Sequence, residues 1–285
     1  MESAVGVIGG GIMGCGIAEV AARHGCDVVL REINSDLVEA AKSKLEGSLD
    51  TAVRKGKLTE ANRDEVRGRV RFTEQMDDLA DRDLVIEAVV ENLAVKTEIF
   101  ERLGQIVRPD AILSSNTSSI PIMQLAAATV NPERVVGLHF FNPAPVMPLV
   151  EIIACEASSE ETVRRAHDFA AGQLGKTTIT AKDRAGFVVN ALLIPYLLSA
   201  IRMADAGLAS AEDIDKGMVG GCGHPMGPLA LTDLIGLDTT MAVAESMYAE
   251  TREQLYAPPA LLRRKVEAGQ LGRKSGRGFF DYPKK

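Results

Sequence analysis

The chain has 285 residues, 46% hydrophobic and 25% charged, which is too long for one small core and suits two packed domains. Its 39 acidic and 32 basic residues leave a net charge of −7, which excludes a general attraction to nucleic acid. No apolar run reaches the roughly 20 residues that cross a bilayer, and no cleavable leader precedes the first apolar segment, so a cytoplasmic protein without membrane partners is expected.

Val5–Ile8 is a short apolar run that stops at glycines, the pattern of a buried parallel strand. Helical spacing over Ile12–Arg23 ends at Gly25, where a C-cap belongs, and Asp27–Leu30 is a second strand. Together they form a strand–helix–strand unit of about 30 residues. Residues 34–69 turn polar and read as two helices broken near Gly56–Thr59. Strands resume at Val70–Phe72, Leu84–Val90 and Ala111–Ser114, with a helix over Val95–Val107. Val135–Phe140, Val150–Ala154 and Thr177–Thr180 complete the strands, and this alternation predicts an open, mostly parallel sheet covered on both faces. Beyond Asp183 the strands stop. Phe187–Ala206 is a long apolar helix with a kink expected at Pro195, and further helical segments follow. The expected fold class is α/β over residues 1–184, with a helix hairpin at 34–69, followed by an all-α domain over 185–285. The apolar surface of that second domain calls for a partner such as another subunit. Cys15, Cys26, Cys155 and Cys222 are scattered without CxxC or Cys/His clustering, so buried reduced thiols are expected and no metal.

"GVIGGGIMGCGIA" contains Gly9-x-Gly11-x-x-Gly14 directly after a strand and opening a helix. The first glycine permits the turn, the second lets a pyrophosphate approach and the third lets the helix lie close to the sheet. Ile12 and Met13 open that helix and count among the candidate cofactor contacts. Glu32 stands 18 residues past Gly14, at the end of the second strand, where a carboxylate accepts the hydroxyls of a ribose. It favours NAD over NADP, because a 2′-phosphate would meet a like charge. Arg31 could serve such a phosphate, but the preferred reading is a solvated charge at a strand end. "VIEAVVENLAVK" offers Glu87, Glu91 and Lys96 after the fourth strand, either at a ligand edge or as an exposed helix cap. "SSNTSSIP", with Asn116 and Ser118, follows the fifth strand, and its polar groups face substrate or cap a helix.

"GLHFFNPAPVMPLVEII" ends a strand at His139 and carries Glu151 in the next. A nicotinamide dehydrogenase needs a base for the alcohol proton, and histidine suits that task when a carboxylate orients the ring. Pro143, Pro145 and Pro148 would restrict the connecting loop. Taken singly, a histidine beside phenylalanines is more often structural, so the case rests on the combination with Glu151 and the upstream nucleotide motif. His24 and His167 lie on polar helix faces and His224 in a loop, and none is given a role.

Over nearly its whole length, the chain resembles the L-3-hydroxyacyl-CoA dehydrogenase family, and its bacterial short-chain branch in particular. The segments already quoted carry the resemblance, together with "DRAGFVVNALLIPYLLSAI", "HPMGPLALTDLIGLDTT" and "GRKSGRGFFDY", all in the family's order. The resemblance implies a Rossmann-type first domain, NAD as cofactor, a short-chain acyl-CoA as substrate and a homodimer through the helical domain. The implied reaction interconverts (S)-3-hydroxybutyryl-CoA and acetoacetyl-CoA. His139 is then the base, Glu151 its partner, and Ser118 and Asn190 donors to the reacting oxygen. Asn142 is implied near nicotinamide and substrate, and Glu91 and Lys96 around the nicotinamide ribose. Ser48, Arg54, Lys55 and Lys57 fall where the family places its CoA contacts, although a solvated hairpin explains each of them equally well. An amide within "FVVNALLIP" is costly unless it is satisfied, which gives Asn190 a reason of its own. Three departures stand out: Ala185 for a usual proline, Ala191 for an arginine and His224 for an aromatic residue. The rival readings are a dehydrogenase of a free hydroxy acid and a non-catalytic structural protein, as the related lens crystallins are.

Overall fold

The computed structural model describes residues 3–283, which divide between Arg184 and Ala185 into two compact units. The first is an eight-stranded sheet in the order β3-β2-β1-β4-β5-β6-β7-β8. Its strands are β1 (Ala4–Ile8), β2 (Asp27–Arg31), β3 (Val70–Thr73), β4 (Leu84–Glu87), β5 (Ile112–Ser115), β6 (Val135–Phe140), β7 (Leu149–Ala154) and β8 (Thr177–Lys182). The helices of this unit are α1 (Ile12–Arg23), α2 (Ser35–Arg54), α3 (Glu60–Gly68), α4 (Leu93–Ile106), α5 (Ile122–Ala126) and α6 (Glu160–His167). Every strand pair is parallel except β6–β7, so β7 and β8 run against the other six.

Local chemistry sets the helix starts. Asn34, Thr59, Asn92 and Ser159 each accept a hydrogen bond from the backbone N–H three residues on, which begins α2, α3, α4 and α6. The buried residues of β1 and the central residues 28–30 of β2 are apolar because helices cover the sheet. Val5, Val7, Val28 and Leu30 pack with Ile17, Val20, Leu45 and Leu49 from α1 and α2.

Chain order reverses between β1 and β4. The segment after β1 leads across β2 and β3, and the chain returns on the other side of β1 as β4, leaving a crevice at their carboxyl ends. β4 ends at Glu87, three residues before the sequence pattern ends. Ala88 and Val89 instead lie against Gly9, where a Cβ would meet Ala88 O at 2.8 Å.

The second unit is helical: α7 (Val189–Asp205), α8 (Ala211–Cys222), α9 (Pro228–Ile235), α10 (Leu237–Thr251) and α11 (Ala260–Glu267). Ile194, Leu198, Ile201, Leu229, Ala244, Met247 and Leu262 form its core. Buried Asp215 accepts from Leu229 N and Ala230 N, both at 2.8 Å, and so caps α9. α7 continues through Pro195. It begins two residues later than the pattern predicts, because Gly186 and Phe187 both take positive φ. No helix among the described residues is long and apolar enough to cross a membrane.

Three cysteines are buried, whereas Cys222, expected inside, is exposed at the end of α8, where residues 220–223 leave the helical core. Burial first, with nearby Glu32 and Glu19 adding to it against Lys44, pushes the Cys15 thiol up to about 11. Native thiol titration at pH 8 should therefore label Cys222 first and Cys15 only on unfolding. Rapid native labelling of Cys15 would contradict the packing of α1 on the sheet.

Candidate active site

Gly9 has φ +99°, a conformation L side chains rarely adopt. A Cβ on Gly14 would overlap the Gly9 carbonyl oxygen, so α1 starts hard against its own turn. Nothing lies within 4 Å of a Cβ position on Gly11. That glycine is also the N-cap of α1 and supplies no side-chain cap, so the first-turn N–H groups and the positive helix end stay open. Ile12 is exposed here, and Met13 packs half-buried on the core. Glu32 follows β2 and accepts from Gly10 N (2.5 Å) and Ile33 N (3.1 Å). A cradle without Cβ atoms, a helix end and a carboxylate together fit the pyrophosphate and ribose diol of a dinucleotide. Sequence reasoning missed Lys44. From α2 it donates to the Gly10 carbonyl at 2.8 Å, and its helical position alone gives no sign of that contact. Arg31 is half-buried rather than solvated. Its Nε donates to Glu74 O at 3.2 Å, and burial lowers its pKa.

The next strand ends carry a network of charges. Glu87 is fully buried and accepts from Lys96 Nζ on both oxygens (2.7 and 2.9 Å), from Ser115 Oγ (2.6 Å) and from Val89 N (2.6 Å). Lys96 is 1% exposed and stands 3.2 Å from Glu91 Oε2. Glu91, at the surface, takes donors from the following turn on its Oε1: Thr117 Oγ1 (2.5 Å), Ser118 N (3.0 Å), Ser119 N (3.1 Å) and Ser119 Oγ (2.9 Å). Burial alone would raise the Glu91 carboxyl, but Lys96 and the Thr117 and Ser119 hydroxyls outweigh it and hold it below the usual range. The exposed-cap alternative therefore fails for Glu87 and Lys96. A buried lysine needs a carboxylate partner, and the cap itself is made by Asn92. The Ser118 backbone N–H is committed to Glu91, while its half-buried hydroxyl is bonded to no other described residue.

His139 and Glu151 face each other directly across the antiparallel β6–β7 pair. Opposed side chains on one face have Cβ atoms about 5 Å apart, and here His139 Nδ1 lies 2.7 Å from Glu151 Oε2, with both residues buried. Phe141 packs on the imidazole at a 4.6 Å centroid separation. Asn116 accepts from Phe140 N at 2.8 Å and ties the β5 turn to the histidine strand. Asn142 is exposed and precedes Pro143 through a cis peptide. Prolines are only part of what holds the connecting loop. Lys176 donates to Ala144 O (2.8 Å) and Met147 O (2.7 Å), and Ala144 packs against Gly16 of α1. The loop is thereby anchored to the helix that begins at the glycine turn.

Other predicted residues lie on the α2–α3 hairpin and on α7. Ser48 lies on α2 beside buried Glu19, and Arg54, Lys55 and Lys57 are exposed around the α2–α3 turn. Asn190 is the second residue of α7 and half-buried, not the interior of an apolar helix as its neighbours imply. His24 bonds Val20 O, His167 bonds Thr178 and Thr180 of β8, and His224 pairs with Tyr196.

A glycine turn at the switch point of a parallel sheet, with a buried His–Glu pair further along the same sheet, defines a Rossmann-class, dinucleotide-dependent oxidoreductase. Two family descriptions match: "3-hydroxyacyl-CoA dehydrogenase, NAD binding domain" over residues 4–184 and "3-hydroxyacyl-CoA dehydrogenase, C-terminal domain" over 186–282. A 3-hydroxybutyryl-CoA dehydrogenase of Mycobacterium tuberculosis is 56% identical over 98% of both chains. The human mitochondrial hydroxyacyl-coenzyme A dehydrogenase is 42% identical, covering 98% of this chain and 90% of its own. The crystal structure of (S)-3-hydroxybutyryl-CoA dehydrogenase from Ralstonia eutropha covers all of both chains with a TM-score of 0.94 at 45% identity. The chain belongs to the 3-hydroxyacyl-CoA dehydrogenase family and is an NAD-dependent dehydrogenase.

Two substitutions separate fold from cofactor at the glycine turn. Gly14→Ala should cost at least about 1–3 kcal/mol by overpacking, visible as a lower urea midpoint. Gly11→Ala should unfold like the wild type yet weaken NADH binding tenfold or more by fluorescence titration. Unchanged binding in Gly11→Ala would mean that the pyrophosphate does not pass there.

Proposed function

We propose that the protein interconverts a short-chain L-3-hydroxyacyl-CoA and its 3-ketoacyl-CoA, with (S)-3-hydroxybutyryl-CoA and acetoacetyl-CoA as the principal pair. The observation that carries this reading is the buried 2.7 Å contact between His139 Nδ1 and Glu151 Oε2. A carboxylate can only accept, so Glu151 places the ring proton on Nδ1 and leaves Nε2 with its lone pair for the substrate hydroxyl. His139 takes that proton, and Glu151 stabilises the resulting imidazolium. Ser118, with its hydroxyl uncommitted, and Asn190 donate to the reacting oxygen, and Asn142 stands beside it. NAD, when bound, supplies the hydride acceptor. Gly9, Gly11, Ile12, Met13 and Gly14 would hold its phosphates, Glu32 the adenosine ribose, and Glu91, Lys96 and Asn116 the nicotinamide end. Glu32 accepts two backbone donors and presents its negative charge where a 2′-phosphate would sit, which supports NAD over NADP.

The names of the relatives support the acyl-CoA substrate. So do Arg54, Lys55 and Lys57, exposed cations at the hairpin, of which Arg54 donates to Thr51 Oγ1 at 2.9 Å. The first unit then binds NAD, and the second is the substrate and dimerisation domain of a homodimer, for which Leu192 and Leu208, 73% and 75% exposed, supply apolar surface. A cytoplasmic location accords with this chemistry.

In an NADH-consumption assay, acetoacetyl-CoA should be reduced rapidly and acetoacetate hardly at all. His139→Gln should lower kcat by about 10²–10⁴ while leaving NADH dissociation within twofold, and Glu151→Gln should also depress turnover. Full activity in His139→Gln removes the base assignment, and equal rates with acetoacetate remove the CoA requirement.

A further inference from the structure

Gly10 occupies an x position of the glycine pattern, where the motif asks for no particular residue, yet nothing larger fits here. A Cβ on Gly10 would stand 2.4 Å from the Ala41 Cβ of α2 and 3.3 Å from Glu32 Cγ and Oε1. The turn is thus pressed onto α2, and the contacts made there fix the orientation of one peptide unit.

That unit joins Gly10 to Gly11. Its oxygen accepts from Lys44 Nζ at 2.8 Å and from Cys15 Sγ at 3.2 Å. The unit is trans, so its N–H points away from its oxygen. With the oxygen drawn to Lys44, the Gly11 N–H faces the other way, and it meets no acceptor among the described residues. The groups around it are committed. Gly9 N donates to Arg31 O at 3.0 Å, Gly10 N donates to Glu32 Oε1 at 2.5 Å, and Gly11 O accepts from Cys15 N at 3.0 Å. The space that a side chain on Gly11 would fill is empty.

The two donors on the Gly10 oxygen are unequal. A thiol is a weak donor, whereas an ammonium makes a charge-assisted bond. Positive charge at the oxygen draws electron density through the amide and makes the N–H of the same unit a stronger donor. Lys44 therefore acts on the Gly11 N–H by direction and by strength, from an exposed position on α2. A free surface lysine would do neither.

We infer that Lys44 is a positioning residue for coenzyme binding, fixing and polarising the Gly10–Gly11 peptide so that the Gly11 N–H meets the pyrophosphate. This rests on the reading, given under the proposed function, that the pyrophosphate passes Gly11. Lys44 reaches the phosphates only through that peptide.

The test compares Lys44→Met, which keeps the stem and removes the ammonium, with Lys44→Arg, which keeps a cationic donor. Dissociation of NADH and of ADP-ribose, kcat, KM for NADH and for acetoacetyl-CoA, and melting temperature are measured for each. Lys44→Met should weaken NADH and ADP-ribose alike, by about tenfold, and raise KM for NADH in step. Its kcat at saturating NADH and its KM for acetoacetyl-CoA should stay within twofold of the wild type. Lys44→Arg should recover NADH binding to within threefold. In the double variant with Gly11→Ala, removing the lysine should weaken NADH by much less than it does alone, because the peptide no longer meets the phosphates.

NADH binding within twofold of the wild type in Lys44→Met overturns the proposal, whether or not the melting temperature falls. A raised KM for acetoacetyl-CoA with unchanged NADH binding also overturns it, and places Lys44 with the proposed CoA contacts one helical turn before Ser48. Full, independent losses in the double variant overturn it too, since the lysine then acts without the Gly11 peptide. If Gly11→Ala alone binds NADH as the wild type does, the pyrophosphate reading fails and takes this inference with it. A weakened Gly11→Ala beside an unaffected Lys44→Met defeats the lysine's role alone.

Discussion

Burying charge away from water is expensive unless each group meets its complement, and this constraint shapes the carboxyl edge of the sheet. Glu87, Lys96, His139 and Glu151 are all nearly inaccessible, and each has its partner supplied by an adjacent strand or the helix that follows. Such pairing tolerates no slip of register. Moving β7 by one residue past β6 would turn Glu151 to the opposite face and leave His139 opposed to an aliphatic side chain. The reversed direction of β7 makes the pairing local, because the chain turns back in a short loop instead of crossing over a helix.

The sheet was largely legible in the sequence because its strands are short apolar runs between glycines and caps, and the α1 limits follow from those signals. Where prediction and structure part, the cause is non-local. Nothing within "VIEAVV" shows that β4 stops at Glu87, since what ends it is the approach of the Gly9 turn. Lys44 and Lys176 look like surface cations in their own segments, and only tertiary packing brings them to the carbonyls of Gly10 and of the histidine loop. The His139–Glu151 pair was readable from two adjacent strands, whereas the shared border of Glu87 with the glycine and serine turns depends on strand order.

The second unit carries one departure from the family pattern that the structure explains. Ala185 keeps a backbone N–H where a proline has none, and that N–H lies 3.2 and 3.3 Å from the Glu250 carboxylate oxygens on α10. The alanine thus replaces the ring's rigidity with a hydrogen bond at the point where Gly186 and Phe187 turn the chain into α7. Ala191 packs against the core of this unit, and the structure gives no reason for the loss of an arginine there.

The double duty of Glu32 bears on how such an enzyme could be redesigned. The carboxylate proposed to hold the ribose also accepts the Gly10 N–H at 2.5 Å, while Lys44 holds the carbonyl of the same residue. Exchanging Glu32 for a small or basic side chain to admit a phosphorylated ribose would release one side of that peptide while Lys44 still pulled on the other. A switch of coenzyme is therefore a two-site problem in this scaffold, in which the new phosphate contact and a substitute anchor for Gly10 have to arrive together.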